Sequence, residues 1–185
     1  MGGARLTRLR RARPDEATAL ARFAADAFTT TYAPHSRAED VAAYVDARLT
    51  PAAFAAHLAD PAQTTFLAVD GAAIVGYAQL RRGGGPWPPD VRWTSAPRTA
   101  ACAELARLYV APAAHGSGLA ARLLDATCAA ARAGGARVLW LCAWQGNARA
   151  LAFYRKHGFA VVGTGTFAMG AEVQDDWILA RTLTR

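Results

Sequence analysis

The run His115-Gly116-Ser117-Gly118-Leu119-Ala120 has the residue types that hold a phosphate. A helix that begins there leaves its first amide groups without partners, and its dipole presents a positive end to an anion. Gly116 and Gly118 lack the Cβ atoms that would keep a ligand away from those amides. Downstream, Asn147, Leu151 and Tyr154 are spaced to share one helix face, with two polar tips and apolar packing between them. A tyrosine is protonated at neutral pH and can donate a proton. The stretch 104–159 thus joins a place for phosphates to a group able to do proton chemistry.

Each member also has a plain structural reading. A tight turn needs glycine whatever it binds, Asn147 can serve as an N-cap, and Tyr154 can serve as an amphipathic core tyrosine. Order and spacing narrow the choice. A P-loop requires Lys and then Ser or Thr after its last glycine, where Leu119 and Ala120 stand. A dinucleotide fingerprint puts a third glycine where Ala121 stands and an acid at the end of the next strand, and residues 138–144 contain none.

The elements that must position these residues are readable in outline. A short strand is expected at 6–10. A helix follows from Pro14 to about residue 30, with proline in its first turn and Asp15 and Glu16 at its positive end. A second helix fits 36–49, with Ser36 as N-cap and Glu39 as its capping-box partner. A third fits 50–58. Residues 64–69 and 73–80 read as a hairpin around Asp70-Gly71. A glycine- and proline-rich loop then spans 83–99 and carries Trp87 and Trp93. A lid or substrate wall and an insertion shielding a core edge fit that loop equally.

Strands at 103–110 and 138–143 flank a helix at 116–133 that ends at Gly134-Gly135. A helix from Asn147 to His157 stops at Gly158, and strands at 159–162 and 177–183 complete the sheet. Strands alternating with helices, together with hairpins, indicate an α/β sheet of mixed direction. A chain of 185 residues suits one domain, expected over 1–185.

Composition excludes other classes. With 53% hydrophobic and 19% charged residues the chain reads as globular. No apolar run reaches the roughly 18 residues that span a bilayer, and the basic start lacks a signal-peptide core, so a cytoplasmic location and no membrane partner are expected. Cys102, Cys128 and Cys142 give neither a disulfide framework nor metal-ligand spacing, so buried thiols and no metal are expected. A formal net charge of +7 favours anionic partners. The only basic run is Arg8-Leu9-Arg10-Arg11, so charge alone argues for nucleic acid and no specific nucleic-acid partner is expected.

The 104–159 stretch resembles the acetyl-CoA-binding core of the GNAT superfamily of N-acetyltransferases. The resemblance rests on Leu108-Tyr109-Val110-Ala111-Pro112, the 115–120 turn, Asn147 to Ala150, Phe153-Tyr154 and Gly158-Phe159. It implies a mixed, centrally splayed sheet flanked by helices on both faces. It also implies acetyl-CoA as co-substrate. The pantetheine arm would pair with backbone along Leu108, Tyr109 and Val110, and the pyrophosphate would sit on the amides from His115 through Gly116, Ser117, Gly118 and Leu119 to Ala120. Asn147 would touch the arm and Tyr154 would stand near the sulfur. One position departs from the family turn: Ala113 stands where Gln or Arg is usual, and Arg122 is an expected replacement charge.

The mechanism so implied is direct attack of a neutral amine on the thioester. Glu104 would take the amine's proton, directly or through water, and Tyr154 would supply one to the departing thiolate. The tail Thr166 to Asp176 further resembles that of bacterial spermine/spermidine acetyltransferases, and so does the early segment Asp26 to Tyr32. That likeness makes Glu172, Asp175 and Asp176 candidate holders of a polycation, although the same acids also read as an ordinary polar turn. Small-molecule and peptide amines, protein N-termini and lysines are all open as acceptors, since a fold does not fix the substrate. A non-catalytic acyl-CoA-binding regulator and a homodimer also stay open.

Overall fold

The computed structural model describes residues 7–83, 91–93 and 101–183. The 83–99 loop with Trp87, and with it any closure over a substrate, therefore falls largely outside the described residues. The chain runs β1 (Arg8–Arg11), a 3-10 turn at Pro14–Glu16, α1 (Ala17–Tyr32), α2 (Ala38–Arg48), α3 (Pro51–Ala59), β2 (Gln63–Asp70) and β3 (Ala73–Arg82). It continues through β4 (Arg92–Trp93), β5 (Cys102–Val110), α4 (Leu119–Ala133), β6 (Val138–Trp144), α5 (Ala148–Lys156), β7 (Ala160–Met169) and β8 (Glu172–Thr182).

The strands form one sheet in the order β1-β2-β3-β5-β6-β8-β7-β4. Among the described residues only β5 and β6 run parallel; the other neighbours pair antiparallel. The parallel pair needs a crossover, and α4 supplies it. Helix α4 buries Leu119, Leu123, Leu124, Thr127, Cys128 and Ala131, the spacing of a single face. That face packs with Leu151 and Tyr154 of α5 against Ala78, Leu80, Leu105 and Leu141. The opposite side of the sheet, with Leu67, Val69 and Tyr77, is covered by α1, α2 and α3 through Leu20, Phe28, Val41 and Phe54. Helices therefore lie on both faces.

Two irregularities shape the middle of the sheet. Gln79 pairs with Arg107 but Leu80 pairs with Leu105, so Ala106 is an extra residue, a β-bulge. Strand β6 pairs with β5 only at Cys102, Ala103 and Glu104, whereas β5 stays on β3 as far as Val110. The sheet thus opens between β5 and β6 beyond Glu104, where the bulge begins.

Three expectations are corrected. Residues 166–176 are not a polar turn but the facing ends of a long hairpin, β7–β8, whose tip is Gly170-Ala171. The Ala171 amide donates to the Asp40 carboxylate at 2.6 Å and ties that tip to α2. Helix α2 is preceded by Arg37 rather than capped by Ser36, whose hydroxyl instead meets Glu172 and accepts from Gln174. Of the cysteines, only Cys128 is fully buried; Cys102 and Cys142 are half-buried, and none of the three is in a disulfide.

Candidate functional site

At the end of β5 the chain turns through a 3-10 segment, Pro112–Ala114, into the glycine turn. Gly116 and Gly118 have φ of 76° and 80°, the left-handed region that side chains rarely enter, and Gly118 is the N-cap of α4. A Cβ built on either would meet nothing within 4 Å, so the space over the turn is open. The Ser117 hydroxyl donates to the Ala114 carbonyl at 2.7 Å and closes the loop on itself. The amides of Gly116, Gly118 and Ala120 have no acceptor among the described residues. Free amides, glycines and a helix dipole fit a pyrophosphate.

His115 braces this turn. Arg149 of α5 donates to its Nδ1 at 2.8 Å, so Nε2 carries the proton and donates to the Val110 carbonyl at 3.0 Å. The brace engages the Val110 carbonyl, expected from the sequence to pair with the pantetheine arm. It also brings a guanidinium to the turn that lacks a basic residue at Ala113. The expected substitute, Arg122, is turned away and donates to the Thr7 carbonyl at 3.1 Å. Nothing local in the sequence singles out Arg149, because it lies 34 residues from the ring it contacts.

Across the opening, the Asn147 side chain accepts from the Ala150 amide at 3.0 Å and starts α5. Its oxygen is thus used structurally, while its NH₂ group has donors to spare. Tyr154 is 8% exposed and packs edge-on against Phe153 and Phe159. Burial, and secondarily Tyr32, push its pKa above the ordinary tyrosine value. It is therefore a protonated donor throughout the physiological range. On β5, Leu108 and Val110 pack on the α4 side, whereas Tyr109 turns to the α1–α3 side.

Glu104 stands at the last β5–β6 pair, where the strands part. Its carboxylate accepts from Arg81 at 2.6 Å. Burial nonetheless raises its pKa, against the opposing pull of Arg81 and Arg107. A raised carboxylate is better matched to accepting a proton near neutral pH.

On the α1–α3 face lies an aromatic and polar group that the sequence does not advertise. Tyr32 shares a hydrogen bond with Tyr109 and packs near Trp144 and Phe167, with centroids at 6.2 and 6.3 Å. Tyr44 stacks on Phe28 at 4.4 Å and contacts Phe167 at 5.1 Å. The three candidate acids do not converge. Asp176 is buried and acts on Tyr32; Glu172 meets Ser36 and accepts from Gln174; Asp175 is exposed on the other side of β8. Glu172 instead lines an open cavity of about 630 Å³ with Asp40, Ala171 and the 34–37 segment.

No helix among the described residues is long and apolar enough to cross a membrane. Comparison with known proteins yields the following. Residues 20–159 match the Acetyltransferase (GNAT) family. Uncharacterized N-acetyltransferases of Mycobacterium tuberculosis (strain H37Rv) and Mycobacterium bovis are 39% identical over 168 residues, covering 91% of this chain and 98% of theirs. PaiA N-acetyltransferase from Thermoplasma acidophilum, solved in complex with coenzyme A, superposes with a TM-score of 0.74 at 17% identity, covering 96% of this chain and 99% of that one. YncA from Salmonella typhimurium, solved with its cofactor acetyl-CoA, superposes with a TM-score of 0.67 at 21% identity, covering 97% and 95%. At those identities the two structures establish the fold, a mixed sheet flanked by helices.

Proposed function

From the premise that the chain belongs to the Acetyltransferase (GNAT) family, we propose that it transfers an acetyl group from acetyl-CoA to a primary amine by direct attack. The observation that carries this reading is the parting of β5 and β6 beyond Glu104, with free amides at one end and Tyr154 close by in the core. Bound acetyl-CoA supplies the activated thioester. The amides of Gly116, Gly118 and Ala120 hold the pyrophosphate, with Arg149 and the His115 brace adding positive charge at the turn. The β5 main chain from Leu108 to Val110 guides the pantetheine arm, Asn147 offers its NH₂ group to the same arm, and Ser117 and Leu119 shape the turn.

Glu104 accepts the proton that the attacking amine must lose, directly or through a water molecule. Tyr154 donates to the thiolate as it leaves. Its raised pKa makes it a weak acid, but the same apolar surroundings disfavour a bare thiolate, so the two protonation states stay matched. A polyamine acceptor finds less support than a simpler amine, because Glu172, Asp175 and Asp176 point to three different surroundings.

The test is calorimetric binding of acetyl-CoA together with thiol release over an amine panel that includes spermidine. Binding with turnover of at least one primary amine is expected. Binding without any turnover makes the chain a regulatory acyl-CoA module instead.

A further inference from the structure

Arg107 differs from the other shielded arginines. Arg10 and Arg81, with side chains 22% and 28% exposed, each face a carboxylate, Glu16 at 2.5 Å and Glu104 at 2.6 Å. Arg107 is half-buried too, yet no carboxylate lies within ion-pair distance of it among the described residues. Its hydrogen-bond and ring partners are neutral: the Gln79 Oε1 at 2.6 Å, the Tyr44 hydroxyl, and the face of Phe54 at 5.9 Å; the Glu104 carboxylate acts on it only from a distance and is itself held by Arg81. A guanidinium has five N–H donors, and these contacts leave several of them free.

The neighbourhood is rich in donors and poor in acceptors. The Tyr77 side chain is fully buried, its hydroxyl has no hydrogen-bond partner, and it lies near enough to act on the Arg107 charge. Tyr109 follows on the same face of β5 and stacks on Tyr77 at 5.8 Å between centroids. Burial keeps both phenols protonated. Gln79 is wholly buried and passes its own NH₂ to Gln63, so its only acceptor is committed to Arg107. A shielded cation among phenols is costly when left so, and an incoming anion removes that cost.

The place is the acceptor side of the splay. Arg107 pairs across with Gln79 and Glu104 with Arg81, two residues further along β3, so both side chains stand on one face. Resting on the acetyltransferase reading above, we propose that Arg107, with the hydroxyls of Tyr44 and Tyr77, binds a carboxylate on the acceptor, so that the substrate is an amine that also carries an acid group. The bidentate fit of guanidinium to carboxylate then fixes the distance from acid to amine, and the amine lies toward Glu104 and the opening.

The experiment compares amines matched except for the carboxylate: phenylalanine with phenethylamine, tryptophan with tryptamine, and lysine with cadaverine. Thiol release is read with the unmodified protein, R107Q and R107K. The carboxylate-bearing member of at least one pair is expected to show kcat/KM roughly 10²-fold higher, as removing one partner of a shielded ion pair commonly reveals. R107Q should abolish that preference by raising KM, and R107K should restore part of it. Acetyl-CoA affinity, measured by calorimetry, should be unchanged in both variants and reports that they are folded. Preference for the carboxylate-free amines, no turnover of any carboxylate-bearing amine, or a preference that survives R107Q overturns the proposal. Loss of acetyl-CoA binding in the unmodified protein overturns the acetyltransferase reading itself, which separates the two failures.

Discussion

Around the turn at 115–118 the groups offered to a ligand are main-chain amides, whereas between α1, α2 and β5 they are side chains drawn from several elements. The first region is set by backbone conformation: two left-handed glycines and a helix start produce it whatever the neighbouring side chains are. On the proposed reading, this is what lets Ala113 stand where Gln or Arg is usual. The second region depends on Tyr32, Tyr44, Tyr77, Arg107 and Asp176 individually. These groups are offered by side chains rather than by backbone, so single substitutions can alter this region while the glycine turn stays as it is.

The proposed catalytic step sits between the two regions, and the largest effect is expected there. Y154F should lower kcat by roughly 10²–10³-fold with acetyl-CoA affinity nearly unchanged, as loss of a general acid does; an unaltered rate would place Tyr154 in the core only. E104Q should lower kcat/KM about 10–100-fold. The sign with pH follows from burial, which raises the Glu104 pKa. A base works ionised, so activity is present above that raised pKa and is lost as pH falls through it. The acid limb of the profile should therefore lie above 4.5, the ordinary glutamate value, and vanish in E104Q.

A smaller effect distinguishes main-chain from side-chain construction. G118A puts a Cβ on a residue at φ 80° and into the open space over the turn. It should raise KM for acetyl-CoA about tenfold, from roughly 1–2 kcal/mol of backbone strain, and leave acceptor preference alone. Equal changes in cofactor and acceptor KM would dissolve the distinction between the regions.

The smallest effect lies outside both. Glu16 is lowered to about 2, first by its hydrogen bond from Arg10. A carboxylate lowered in the fold contributes stability above its unfolded pKa, and that stability is lost as pH falls through about 2. E16Q should cost about 1–2 kcal/mol at neutral pH, seen as a Tm a few degrees lower, with kcat unchanged.

The turn and helices proposed to hold the cofactor were legible because their signals are local. A glycine pair at a helix start, an N-cap at Asn147 and a stop at Gly158 each act within a turn of chain. The acceptor half was not, because Tyr32, Tyr44, Arg107 and Phe167 meet only after folding. The β7–β8 hairpin was hidden for a related reason. Its acids and glycine read as a turn, yet Ser36 and Asp40 from the α2 region, with Gln174 of β8 itself, satisfy those polar groups and let the strands run on. The bulge left no sign either, since Ala106 is small enough for either face.

That extra residue sets the phase in which β5 must be read. A scan of substitutions at every second position would be expected to stay on one face, but here the rhythm skips a beat between Glu104 and Arg107. Positions 104, 107 and 109 form one functional row, while 105, 108 and 110 form the row beneath it. Deleting Ala106 would restore strict alternation with Glu104 still opposite Arg81 and Leu105 still opposite Leu80, so the row would survive; what would go is the local kink and extra twist at the point where β5 and β6 part.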